Sequence, residues 1–259
     1  MPEAADVLIP VDPYAFTPGY YDLFRAKDGD CALPSPRFFA DLTPPGGSAL
    51  EIGPGTGRIT LAVAEQAGTV WCLERSTTMR AVLLAKLAER PHLWDRVTVL
   101  PGSAPHFQLD RRFDYVCLGG VLEHISAADR PVLFRSIADH LVPDGTVAID
   151  MVLTQPAPEM PEQLVDEVTL GECRYTLSAQ ADRLGPDLSR LHMTYRTYHR
   201  GRLIATEAVE RLHNMHRPDA VLGDLATVGL IPAEGSGIAM ASNDPGEPGA
   251  VVVRKRVAP

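Results

Sequence analysis

Two acids and three alternating glycines carry the most specific chemistry in the chain. Ala49-Leu50-Glu51-Ile52-Gly53-Pro54-Gly55-Thr56-Gly57 is a short apolar run that breaks into glycines and restarts as the amphipathic stretch 58–66. An apolar strand that stops at glycines and resumes as a helix brings backbone N–H groups against a ligand in an α/β sheet. Gly53 lets the chain turn sharply, Gly55 removes the Cβ between backbone and ligand, and Gly57 lets the next helix pack on the strand. A dinucleotide fingerprint needs its third glycine at position 58, which is Arg58. The spacing here is E-x-G-x-G-x-G, with Glu51 in the strand end, where a carboxylate attracts a cationic amino group directly or through water. The second acid, Glu74, follows the apolar run 69–73. An acid at the end of the second parallel strand is placed to accept both hydroxyls of a ribose.

The elements that must position these residues follow in order. Met79, Val82, Leu83 and Leu87 recur at helical spacing and predict a helix over 77–90, with Met79 in its first turn placed to lie on an adenine face or simply in the core. Residues 97–100 predict a third strand that ends at Gly102-Ser103-Ala104-Pro105, and residues 113–120 a fourth that opens at Gly119 and Gly120. Two strands that open at glycines on one sheet edge imply a crevice there. A helix over 130–141 and a fifth strand over 146–152 continue the alternation, and Pro218 and Gly229 bracket a helix over 219–228. Strands over 235–240 and 250–254 flank Asn243-Asp244-Pro245-Gly246 as a closing hairpin. The expected fold is therefore α/β: a doubly wound, Rossmann-like, mostly parallel seven-stranded sheet with a reversed last strand.

The net charge of −9 gives a field that repels phosphate backbones and anionic lipid, which disfavours nucleic acid and membrane partners. No run approaches the roughly 18 to 20 apolar residues of a membrane span, and residues 1–6 lack a basic n-region, so a cytoplasmic location is expected. The four cysteines, Cys31, Cys72, Cys117 and Cys173, form no C-x-x-C pair; Cys72 and Cys117 read as small apolar strand residues.

Residues 49–152 resemble the class I S-adenosylmethionine-dependent methyltransferases in order: Glu51, Gly53, Gly55 and Gly57 for the first motif, Glu74 for the ribose acid, Ser103 and Ala104 for the adenine site, and 113–120 for the fourth strand. The resemblance implies S-adenosylmethionine as cofactor, held by these residues with Tyr21, Arg75, Met79, Gly119 and Gly120. One departure is Ser103, where the family usually has an acid. The chain has Leu118-Gly119-Gly120-Val121 where methyltransferases acting on base amines resemble one another in a D/N-P-P-Y/F turn, and Glu123 stands alone where protein arginine methyltransferases have a glutamate pair. A small-molecule acceptor is what remains. Tyr20-Tyr21-Asp22-Leu23-Phe24 is similar to the leading segment of enzymes that N-methylate nucleotide-linked aminosugars, which points to bacterial specialised metabolism.

More than sixty residues separate 152 from Pro218, far beyond the usual connection of roughly four to six. Strand character over 173–178, 188–198 and 203–213 predicts an inserted antiparallel lid sheet. The expected organisation is an N-terminal helical cap over 1–44, a cofactor domain over 45–152 and 213–259, and a lid over 153–212. The aromatic stretch 14–30 either docks on the main domain or brings Tyr14 and Tyr20 to a ligand. Along 191–198 the pleat puts His192, Thr194, Arg196 and Tyr198 on one face, which looks into a cavity or into water. A sulfonium methyl needs mainly an aligned nucleophile; an amine attacks unaided and a hydroxyl needs a base. His124, just past the fourth strand, is the first candidate base or a helix cap, and His192 the second; Tyr14, Tyr20, Glu123, Tyr198 and His216 are candidate acceptor contacts. His213 and His216 lack the acid pair a metal site needs, so no metal is expected. The partners expected are a small-molecule acceptor and at most a second copy of the chain. The alternative from another class is a protein that binds the cofactor without transferring its methyl, cyclase-like or sensing.

Overall fold

The computed structural model describes residues 12, 14–28, 36–152, 157–232, 239–240 and 248–256. The expected turn at 243–246, the start of the 235–240 strand, Cys31 and residues 1–6 lie outside the described residues. Helices α1 (Pro18–Asp28) and α2 (Pro36–Asp41) lead into strand β1 (Ser48–Ile52). Then come α3 (Arg58–Gln66), β2 (Thr69–Glu74), α4 (Thr77–Ala88), β3 (Val97–Pro101), β4 (Phe113–Leu118), α5 (Arg130–Asp139) and β5 (Leu141–Val152). Four long strands follow, β6 (Met160–Leu170), β7 (Cys173–Gly185), β8 (Leu188–His199) and β9 (Arg202–Asn214). The chain closes with α6 (Pro218–Thr227), β10 (Leu230–Pro232), β11 (Ala239–Met240) and β12 (Pro248–Lys255).

The main sheet runs β10-β12-β5-β4-β1-β2-β3, with the two-residue β11 paired to β12. β1 to β5 are parallel to one another and β12 is reversed against β5 and β10, the reversed closing strand that was expected; β10 itself was not expected, and of the strand expected over 235–240 the described residues show only β11. Strands covered on both faces need continuous apolar runs, and β1 supplies one. Its Ala49 packs with Val63, Val70, Leu83 and Tyr115, while Leu50 and Ile52 pack on the other layer with Leu118, Leu133, Phe134 and Ile137. Cys72 and Cys117 are buried in β2 and β4 as small apolar side chains. The chain leaves β1 to one side and returns beside it as β4, so a crevice opens past the carboxyl ends of these two strands. Among the described residues no helix is long and apolar enough to cross a membrane.

The inserted sheet has four strands in the order β6-β7-β8-β9, all antiparallel. Sequence reading finds three of them and stops each short. β6 escapes because it is an edge strand exposed nearly throughout, so Glu162, Asp166 and Glu167 replace apolar alternation. Acids along an unpaired edge are what keep such an edge from pairing with another chain.

The two faces of β8 differ in fate. Tyr195 and Thr197 are buried against α1: the Tyr20 hydroxyl donates to Glu207 Oε2 at 2.8 Å and lies 3.0 Å from Thr197 Oγ1, and its ring packs 4.9 Å from that of Tyr195. The other face carries charges. His192 lies between Asp182 (2.7 Å) and Glu210 (3.1 Å), Arg196 reaches Glu162 at 2.8 Å, and Arg174 covers the Tyr198 ring at 4.3 Å. His192 and Tyr198 therefore stand on an ion-paired outer face, away from the face that meets α1, and the cavity alternative for that face does not hold.

Candidate active site

The three glycines of the 53–57 loop all have left-handed backbone, with φ of 70°, 57° and 86° at Gly53, Gly55 and Gly57. Their surroundings divide the labour. A Cβ on Gly53 would meet Val121 Cγ2 at 2.5 Å and one on Gly57 would meet Leu83 Cδ1 at 2.3 Å, whereas one on Gly55 would meet nothing within 4 Å. Gly55 thus faces open space, as a backbone that receives a ligand must. Gly57→Ala is expected to lower stability by about 2 to 4 kcal/mol, combining left-handed strain with a clash against the buried Leu83. Gly55→Ala should carry only the strain, about 1 kcal/mol, and lose ligand affinity instead. Denaturant midpoints beside ligand titrations of the two variants check this; equal stabilities would contradict it.

Glu74 lies against this loop. Its Oε2 accepts the Gly55 N–H at 3.0 Å and its Oε1 accepts the Ser76 N–H at 2.7 Å. Burial pushes the carboxyl up, and those two N–H groups pull against it. Each oxygen keeps a lone pair for a hydroxyl. Ser76 caps α4 by accepting the Met79 N–H at 3.1 Å, which seats Met79, buried, in the first turn beside Glu74. Arg75 is exposed, and Ser103 is exposed past the end of β3 with Ala104 packed on the core.

Glu51 departs from expectation. It is 1% exposed behind the loop, accepts the Thr60 hydroxyl at 2.5 Å, and is pushed up to about 8 by burial. At neutral pH this carboxyl is mostly protonated; it ties β1 to α3 and offers no charge at the rim. At Gly119 a Cβ would strike Ile59 Cδ1 at 2.2 Å, so packing also requires a glycine there. Gly120 has φ 67° and donates its N–H to both Asp150 carboxylate oxygens at 2.8 Å.

Beyond Gly120 lies the turn Leu122–His124. His124 is accessible to solvent yet ringed by side chains from three directions. The Tyr14 hydroxyl stands 3.3 Å from its Nε2, and the His213 ring is 6.3 Å away. His213 Nε2 is 3.9 Å from Glu123 Oε1, an ion-pair separation rather than a hydrogen bond. Arg211 stacks 4.1 Å over Tyr14 and leaves its buried Nε without a partner. Burial holds His124 below the usual imidazole range, outweighing the pull of Glu123, and the Arg211 charge adds to it. Burial pushes Glu123 up, but His213 and His124 prevail and hold it below the ordinary range. Burial and Glu123 push Asp150 well up.

Of the predicted acceptor contacts, Tyr14 and Glu123 join His124 at this cluster. Tyr20 is taken by docking α1 to β8 and β9. His216 is 5% exposed and bound on both ring nitrogens, so it is closed to an acceptor. Tyr21 is exposed on α1 next to Asp22, and it is Asp22 that joins α1 to the loop, accepting the Thr56 hydroxyl at 2.7 Å and pairing with Lys86 at 2.8 Å. Asp22, Asp150 and Arg211 escaped sequence reading because lone acids and a strand arginine carry no spacing signal. A hollow of about 470 Å³ between α1 and the start of α3, lined in part by Asp22, Arg58 and Lys86, shares no residue with the glycine loop or the His124 cluster.

A parallel sheet with a reversed strand next to its edge, a glycine loop after β1 and an acid at the end of β2 define a class I methyltransferase fold, and S-adenosylmethionine is the cofactor this arrangement takes. Residues 49–145 match the family model described as a methyltransferase domain. It is similar to DesVI of Streptomyces venezuelae, at 20% identity, 90% of this chain and 95% of that one, with a TM-score of 0.71. The sugar N-methyltransferase KedS8 from Streptoalloteichus sp. is 21% identical over 92% of this chain and 93% of its own, with a TM-score of 0.69. The glycopeptide N-methyltransferase MtfA, solved with S-adenosyl-L-methionine, is 25% identical over 86% of each chain, with a TM-score of 0.58. Comparison with curated protein sequences finds no match.

Proposed function

We propose that the protein methylates a basic amine nitrogen of a small molecule, with the acceptor between the Glu123–His124 turn and the inner face of the four-stranded sheet. The glycine loop, Glu74 and Met79 fit the adenosyl half of the cofactor, because Gly55 faces open space and Glu74 keeps free lone pairs there. When bound, the cofactor supplies a methyl on a sulfonium. What remains for the protein is to align an acceptor and remove its proton.

The observation that carries the choice of nitrogen is the acid and imidazole cluster at one mouth: Glu123, Asp150, His124 and His213. An amine reaches the crevice as an ammonium ion. Glu123, held ionised, attracts it, and His124, held neutral, takes its proton so that the lone pair is free to attack. Two similar proteins described as N-methyltransferases support nitrogen over oxygen or carbon. The four-stranded sheet, pinned to α1 by Tyr20, serves as roof on the acceptor side.

Labelled cofactor offered with aminosugars, simple amines, phenols and alcohols tests this: label passes to amines and not to hydroxyls. Binding without transfer to any acceptor favours the non-methylating alternative. The pH profile has a definite sign. A lowered His124 is neutral through pH 7 and gains its proton only as pH falls through its depressed value, so kcat is lost on the acid side, below the unperturbed 6.5. An acid limb above 6.5 would contradict the assignment.

A further inference from the structure

The turn that carries Glu123 and His124 is short and irregular, and its fixed position needs a source outside itself. The segment Asn214–His216, at the exit of β9, provides it. Asn214 Nδ2 donates to the Glu123 carbonyl at 3.0 Å, and His216 Nε2 lies 2.9 Å from the Leu122 carbonyl. His216 Nδ1 lies 2.9 Å from Arg130 Nη1, and that arginine is held by Asp224 Oδ2 at 2.6 and 2.8 Å through two of its nitrogens. A guanidinium only donates, so Nδ1 must accept and Nε2 must carry the proton. The tautomer is thereby fixed, and with it the bond to Leu122. Arg130 and His216 are both buried, so neither link is shared with bulk water.

We propose that His216 is a positioning residue for methyl transfer: the relay Asp224–Arg130–His216 holds the Leu122 carbonyl, and so sets where Glu123 and His124 meet the acceptor. This rests on the reading of His124 as the group that takes the acceptor's proton. The relay joins three parts of the fold, α5 through Arg130, α6 through Asp224 and the exit of β9 through His216, and among the described residues no hydrogen bond or ion pair joins these three side chains to the glycine loop or Glu74. Its loss should therefore alter turnover and leave cofactor binding in place. Protonating His216 would set an N–H against the Arg130 donor and break the relay. The charged groups facing the ring are Arg130 and Glu123, and Arg130 adds to burial in keeping the ring neutral.

The test compares His216→Phe, which keeps the shape and removes both bonds, with His216→Gln, which keeps one acceptor and one donor. H216F is expected to lower kcat about tenfold or more with the cofactor Kd within about twofold, and H216Q to recover most of that loss. Arg130→Lys keeps a cation for Asp224 and withdraws the donor from Nδ1, and should give the same pattern at smaller amplitude even if H216F does not fold. Unchanged kcat in folded H216F, or kcat and cofactor affinity falling together in both His216 variants, would overturn the proposal. Wild-type protein that binds cofactor and methylates no amine would sink the functional reading instead, so the two failures are told apart.

Discussion

Replacing Glu74 by Ala weakens S-adenosylmethionine binding by on the order of 2 to 4 kcal/mol, roughly thirty- to several-hundred-fold in Kd, as read by calorimetry. Two effects add. The variant loses the acceptor for two ribose hydroxyls, and it leaves the Gly55 and Ser76 N–H groups, now bonded at 3.0 and 2.7 Å, without their partner. The second effect loosens the loop itself, so Glu74→Gln, which keeps one acceptor oxygen, should fall between wild type and Ala. Affinity unchanged in Glu74→Ala would remove this residue from the cofactor site.

Replacing His124 by Ala lowers kcat on the amine acceptor by about 100-fold, the lower end of what a positioned base contributes, since alignment by Tyr14 and Glu123 survives. Cofactor affinity should stay within about twofold, because no bond joins His124 to the 53–57 loop or to Glu74 among the described residues. Raising the pH in the variant should recover part of the loss, because bulk water then takes the ammonium proton in place of the imidazole. Steady-state rates across pH 6 to 9 check both statements, and full turnover in His124→Ala would show that another group accepts the proton.

The glycine-loop half of the candidate site, proposed to hold the cofactor, is legible in the sequence because backbone conformation drives it. Left-handed turns select glycine, and a parallel strand covered on both faces selects unbroken apolar residues, so 49–57 and 69–74 declare themselves. The acceptor half is not, because it depends on long-range pairing. Nothing near His216 in the chain says that Arg130 and Leu122 will meet it, and nothing near Tyr20 says that Glu207 will. The pleat of β8 gave two faces without saying which was inner; α1, far away in sequence, decides that through Tyr195 and Thr197. Glu51 shows a related gap: its place in the motif is legible, but its burial and its bond to Thr60 are products of the packing of α3 on β1.

The most direct test is a crystal structure with S-adenosylhomocysteine and an aminosugar acceptor. Both ribose hydroxyls are expected on Glu74, the sulfur toward the Leu122–His124 turn, and the acceptor nitrogen within hydrogen-bond reach of His124. Ribose placed away from Glu74, or an acceptor nitrogen on the far face of the four-stranded sheet near His192, would contradict it.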